Sequence, residues 1–111
     1  MSDCLFCKIL AGDVPSDIVY ENEHVVAFKD IYPKTPFHVL IIPKRHIATL
    51  NDLEADDAEL AGQLFLAAKA IAMEQGFAEA GYRVQMNCGE GGGQVVFHMH
   101  LHLMAGKKFS D

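Results

Sequence analysis

The stretch Gln94-Val95-Val96-Phe97-His98-Met99-His100-Leu101-His102-Leu103-Met104 places histidine at every second position from 98 to 102, with apolar residues between. Successive side chains of a strand point to opposite faces, so a period of two reads as strand. A helix turns roughly 100° per residue and would spread the three imidazoles over about 200° of its surface. A strand lines them on one face about 6.7 Å apart, with Phe97, Met99, Leu101 and Leu103 packed behind. Three of the six histidines of the chain stand in this run, which marks it as a site.

Working outward, Gly89, Gly91, Gly92 and Gly93 make a permissive loop feeding the run, and Tyr82 to Asn87 reads as the strand before it. From Asp56 to Gln75, Leu60, Leu64, Ala67, Ala68 and Ile71 recur at helical spacing. Asp56, Asp57 and Glu59 suit the positive end of that helix, and Gly76 is a natural stop. His38 to Ile42 is β-branched and strongly apolar, the pattern of a buried central strand. Ile31 to Phe37 holds Pro33 and Pro36 and reads as a loop. Ile18 to Glu21 and His24 to Lys29 form a hairpin about Asn22-Glu23. Cys4 to Leu10 is a short helical stretch ended by Gly12. The expected fold class is α+β: a five-stranded, mostly antiparallel sheet with one long and one short helix, in a single domain over residues 1–111. The long helix also carries Phe65 among its alanines, a face that suits either core or a partner subunit.

The 111 residues are half apolar with four prolines, which excludes a disordered chain. No apolar run approaches the roughly 18 residues of a membrane span. Met1-Ser2-Asp3-Cys4 shows no basic segment leading into an apolar one, so no secretory leader is expected. That absence and the three cysteines, an odd count, favour a reducing, cytoplasmic setting over a disulfide framework. The net charge is −6 and only nine residues are Lys or Arg. Binding to polymeric nucleic acid relies on neutralising phosphates, so it is not expected here. A few local donors suffice for a small phosphate compound.

Imidazole is a good nucleophile towards phosphorus and is largely neutral near pH 7. Its attack builds negative charge on the phosphoryl oxygens, which neighbouring imidazoles and backbone N–H groups can stabilise. Glycine lets backbone donors approach a phosphate closely, so the loop, Asn87, Gln94 and the histidine run can form one pocket. The competing reading is metal ligation, with His98, His100 and His102 as ligands of a metal-dependent hydrolase. A cupin-like barrel of that kind has no place for the long helix.

The run from His98 to Met104 resembles the histidine triad motif, His-φ-His-φ-His-φ-φ with φ apolar. Cys4-Leu5-Phe6-Cys7-Lys8-Ile9, Phe28-Lys29-Asp30-Ile31, His38 through Ile47 and Gly81-Tyr82-Arg83 resemble the nucleotide-binding (Hint) branch of that family, in the family's order and over nearly the whole chain. The resemblance implies that His100 attacks phosphorus and forms a nucleotidylated intermediate. His102 would contact the phosphate and leaving group. His98 would orient His100 through its backbone carbonyl, and His38 would extend the hydrogen-bonded chain. Asn87, Gly93 and Gln94 match phosphate-side positions. Asp30 matches the acid that binds the ribose hydroxyls, and Leu5, Phe6, Ile9, Phe28 and Ile31 match the apolar slot for the base. Val95 stands in the phosphate site where many members have serine, and the tail after Met104 is shorter than in many relatives. The resemblance implies a homodimer that hydrolyses purine nucleoside phosphoramidates or related nucleoside monophosphate esters without an organic cofactor. A non-catalytic nucleotide sensor and a dinucleoside polyphosphate hydrolase are the alternatives.

Cys4-x-x-Cys7 is half of a tetrahedral zinc site at a common spacing. No strand precedes it, as a thioredoxin-like redox pair would require. In a subset of the family such a pair binds zinc with two histidines, which match His46 and His98 here. That set would be closed and therefore structural. Cys88 reads as a plain loop residue and His24 as a solvated hairpin residue.

Overall fold

The computed structural model describes residues 4–110; the leader reading, drawn in part from residues 1–3, lies outside them. The elements run α1 (Leu5–Leu10), β1 (Ile18–Glu21), β2 (Val25–Lys29), β3 (Phe37–Pro43), α2 (Ala58–Gln75), β4 (Arg83–Gln85) and β5 (Leu101–Ala105). The sheet order is β1-β2-β3-β5-β4, and every pairing is antiparallel. The expected α+β class and its five strands are thus present. No helix among the described residues is long and apolar enough to cross a membrane.

Alternation along the strands makes two cores. Val25, Ala27, Val39, Ile41, Leu101 and Leu103 face α2 and pack with Leu64, Ala67, Ala68 and Ile71. Val26, Phe28, Leu40 and Ile42 face the other way and pack with Phe6 of α1. Each fully buried aliphatic side chain contributes about 1.5–3 kcal/mol, so β3, apolar on both faces, is the spine of the sheet. His38 and His102 lie on the α1 face, in register positions next to Leu40.

Most boundaries shift by a residue from the sequence reading, as in β2 (from Val25) and β3 (Phe37–Pro43), and three differ in ways that matter more. The long helix starts at Ala58, after a 3₁₀ turn over Ala55–Asp57. There Asp57 accepts from the Glu54 N–H at 2.9 Å and pairs with Arg45, which holds its carboxyl below the usual range, chiefly through that backbone bond. The strand expected over Tyr82 to Asn87 shrinks to Arg83–Gln85. The histidine run is not one strand: β5 begins at Leu101, so only His102 of the three lies in the sheet. The reason is Pro43. Run on from Ile41↔Leu101, the β3–β5 register would set Pro43 against Met99, and proline has no N–H for the ladder. The Met99 N–H goes instead to the Ile47 carbonyl at 2.7 Å, which draws the chain off the sheet before it reaches His98.

Helix α2 ends on Gly76, whose φ of 86° lies in the left-handed region and whose N–H reaches the Ala72 and Met73 carbonyls. Gly62, inside the same helix, has open space where a Cβ would stand. The two Gly→Ala substitutions should therefore act in opposite directions. Gly76→Ala costs about 1 kcal/mol, and Gly62→Ala gains up to about 1 kcal/mol. Thermal unfolding reads this as shifts of opposite sign, about 4–8 °C per kcal/mol for a domain of this size. Equal shifts of one sign would contradict the assigned helix end.

Candidate functional site

The chain leaves the sheet at Leu101, yet the three rings stay side by side on the α1 face: His98 and His100 both meet Phe6 edge-on, and His100 meets His102 at 5.0 Å. His98 turns into a cluster with the N-terminal cysteines, while His100 and His102 stay near His38 and Asp30. Among the described residues, no group of neighbouring ligand atoms contains all three histidines, which removes the reading in which they share one catalytic metal.

The hydrogen bonds fix which nitrogen of each ring carries its proton. The His98 Nε2 stands 2.8 Å from the Pro43 carbonyl, which only accepts, so Nε2 is the donor and the Nδ1 lone pair faces the cysteines. The His100 Nδ1 stands 2.8 Å from the His98 carbonyl, so Nδ1 donates and the Nε2 lone pair is left for chemistry. The Lys34 backbone N–H donates to His38 Nδ1 at 3.0 Å, so the His38 proton is on Nε2. That Nε2–H points at His102 Nδ1, 3.0 Å away, with Asp30 Oδ2 at 3.5 Å. His102 therefore carries its own proton on Nε2. The same logic makes the Asp30–His38–His102 group a poor metal site, because the ring nitrogen of His38 that faces the others is a donor.

Burial keeps these rings neutral. It is the leading cause that lowers the pKa of His38, His98, His100 and His102. For His102 the nearby His100 and His38 add to it, and the value falls from 6.5 to about 4. Asp30 acts in the opposite sense on His38, His100 and His102, as a nearby anion that favours a positive ring.

The remaining expected positions divide. Asn87 and Gly93 come together: a Cβ on Gly93, whose φ is 87°, would stand 3.8 Å from Asn87 Nδ2. The Gln85 amide, across from His102, holds Asn87 Oδ1 at 3.1 Å and leaves that Nδ2 as the donor. The glycine loop itself is not an open cradle. It folds as a 3₁₀ turn over Glu90–Gly92, and the N–H groups of Gly92, Gly93 and Gln94 bond to carbonyls within it. Gln94, expected on the phosphate, is buried with its side chain committed elsewhere. Its Oε1 accepts from Gly89 N–H at 2.8 Å, and its Nε2 donates to the Ala48 and Val96 carbonyls at 2.7 and 3.1 Å. Both amide hydrogens are thereby used, so this side chain shapes the loop and leaves no donor for a phosphate. Val95 is 87% exposed and points to solvent.

In the expected base slot, Phe6 and Phe28 are buried and meet edge to face at 5.3 Å, so they form a wall belonging to the second core. Ile9 packs against the same core, while Leu5 and Ile31 are exposed. Asp30 sits beside this wall with Oδ1 accepting from the Tyr32 N–H at 2.9 Å. Sequence reasoning missed the Lys34 N–H and the Pro43 carbonyl, because backbone groups carry no residue signature. The proline at position 43 was a readable signal that the ladder would stop there.

Cys4, Cys7, His46 and His98 form the second feature. Cys4 Sγ is 3.4 Å from His98 Nδ1, Cys7 Sγ is 3.6 Å from His98 Nδ1 and 3.3 Å from His46 Nδ1, and the two Nδ1 atoms are 3.2 Å apart. An ion bound tetrahedrally by sulfur and nitrogen separates its ligands by about 3.3 Å for N···N and about 3.5 Å for N···S. The four distances match the edges of such a tetrahedron, and the His98 lone pair points inward. The donor set therefore fits a metal ion. Burial pushes the Cys4 thiol up, opposed by the N–H of Cys7 that it accepts.

Residues 3–110 match the family model described as scavenger mRNA decapping enzyme C-term binding. The chain is 45% identical over 105 residues to a purine nucleoside phosphoramidase of Escherichia coli K12, covering 95% of this chain and 88% of that protein. It superposes on a HIT family hydrolase from Legionella pneumophila with a TM-score of 0.95 at 48% identity, covering 97% of this chain and 96% of that one. A histidine triad protein from Clostridium difficile gives a TM-score of 0.96 at 42% identity, covering 100% and 96%.

Proposed function

This chain belongs to the histidine triad (HIT) family, and on that premise we propose that it hydrolyses purine nucleoside phosphoramidates through a covalent nucleotidyl intermediate on His100. The observation that carries this reading is the 2.8 Å bond from His100 Nδ1–H to the His98 carbonyl, which leaves Nε2 unprotonated on a buried neutral ring. In the first step the Nε2–P bond forms as the P–N bond breaks and the amine departs. The ring becomes cationic, and the His98 carbonyl and the Asp30 carboxylate stabilise that charge. The departing amine takes its proton from solvent, while His102, held by His38 with its proton on Nε2, hydrogen-bonds a phosphoryl oxygen through that N–H. Asn87 Nδ2 supplies a further donor on the phosphate side. Water then attacks the same phosphorus and loses a proton to solvent; the N–P bond breaks, its electron pair returns to Nε2 and the ring is neutral again as the nucleoside monophosphate leaves. The wall of Phe6 and Phe28, with Ile31 beyond it, would take the base, and Asp30 would take the ribose.

His100→Ala should lower kcat/KM for an adenosine phosphoramidate by about a thousandfold or more while nucleotide binding persists. Steady-state kinetics with isothermal titration of adenosine monophosphate checks both halves. Full activity in that variant would contradict the nucleophile assignment.

Two further readings belong to the same proposal. Sulfur-nitrogen tetrahedra favour zinc, so Cys4, Cys7, His46 and His98 would hold a structural zinc ion. Elemental analysis of the purified chain is expected to give stoichiometric zinc, lost in Cys4→Ser; unchanged zinc in that variant would remove Cys4 from the ligand set. The chain would also be a homodimer. Phe65, Leu66 and Met73 stand exposed on α2, away from its packed face, and β4 ends the sheet. Sedimentation should show a dimer that Phe65→Glu converts to monomer, and a monomeric wild type would contradict the interface.

A further inference from the structure

The metal cluster and the proposed nucleophile share more than proximity. His98 belongs to both: its Nδ1 is a cluster donor, and its own backbone carbonyl receives the His100 Nδ1–H at 2.8 Å. A second connection runs through α1. Phe6 lies between Cys4 and Cys7, is 3% exposed, and sets its ring edge-on to His100 at 5.1 Å and to His98 at 5.9 Å. A helix of six residues has too few bonds to be stable alone, so tertiary contacts must hold α1 and its phenyl ring in place. Those contacts are the second core and the cluster.

We propose that loading the Cys4–Cys7–His46–His98 cluster positions the ring of His100, with His98 and Phe6 as the two positioning residues. The inference rests on the reading of that cluster as a metal site and of His100 as the nucleophile. Its chemistry is local. An ion draws the two sulfurs and two Nδ1 atoms to one centre, replacing the weaker contacts that they make with one another at 3.2 to 3.6 Å. That pull fixes the His98 ring, with Nε2–H on the Pro43 carbonyl, and so the peptide carbonyl that locks the His100 tautomer. It also fixes the two cysteines on either side of Phe6, whose ring limits where the imidazole of His100 can swing. A reacting group displaced by about 1 Å loses about a hundredfold in rate, so such a clamp matters to turnover.

The test compares the chain as isolated, the chain after chelation and the chelated chain resupplied with Zn2+, by imidazole 15N–1H NMR. Ligation should shift the His98 Nδ1 resonance. On the same addition, exchange of the His100 Nδ1–H with water should slow by about tenfold. Cys7→Ser should lose both responses. Phe6→Leu, measured with zinc bound, should keep the His98 shift but lose most of the His100 protection. Its kcat for an adenosine phosphoramidate, read at saturating substrate because Phe6 also lines the proposed base wall, should fall about tenfold to a hundredfold. The proposal is overturned if Zn2+ moves His98 and leaves His100 exchange unchanged, or if no ring responds to Zn2+. A chain that turns over no phosphoramidate but shows the zinc-linked His100 response would contradict the proposed activity and leave the coupling standing.

Discussion

A ring nitrogen that donates to a carbonyl cannot also be the nucleophile, and this rule orders the whole site. The carbonyl of His98 takes the Nδ1–H of His100, the carbonyl of Pro43 takes the Nε2–H of His98, and the N–H of Lys34 fills Nδ1 of His38. Each bond leaves one defined nitrogen for work: a lone pair on His100 and on His98, and a proton on His38 that passes its preference to His102. Three residues of one type thus acquire three chemistries without any change of side chain. The backbone supplies the distinction, and the fold exists locally to hold it there.

Burial makes the arrangement effective. Removing the rings from water disfavours their charged forms, so they remain neutral near pH 7. Asp30 stands against that trend, the one anion among the described residues that acts on three of them, where a positive ring would need it. Its position follows from the loop of Pro33 and Pro36, which folds back so that the Asp30 N–H meets the His38 carbonyl at 3.0 Å. Sheet face, loop and charge act on the same atoms.

Much of this was legible in the residues. Alternation in β2 and β3 is strict, and the hydrophobic repeat of Leu64, Ala68 and Ile71 named the face of α2 that packs. The histidine run and the glycine loop pointed to His100, His102 and Asn87 as expected site residues, and the family resemblance added His38. At His98 and His100 the alternation holds for the shared face but not for the ladder, because it cannot see that Pro43 lacks a ladder donor two positions beyond the last pair. The glycines and Gln94 misled. Their composition suits a phosphate cradle, yet the turn they build turns its own N–H groups inward, and only the fold reveals where an amide side chain such as Gln94 finds three partners. His98 beside Cys4 and Cys7 was expected only through the family resemblance, and the fold brings these side chains together.

The claim on which the rest turns is that His100 Nε2 bonds to phosphorus. Rapid quenching of the chain with an adenosine phosphoramidate at alkaline pH, where a bond from imidazole to phosphorus survives, followed by peptide mapping by mass spectrometry, observes that bond directly. An adenylyl adduct on His100, formed within one turnover, is the expected result. An adduct on another residue, or full turnover with no adduct at any time, would contradict it.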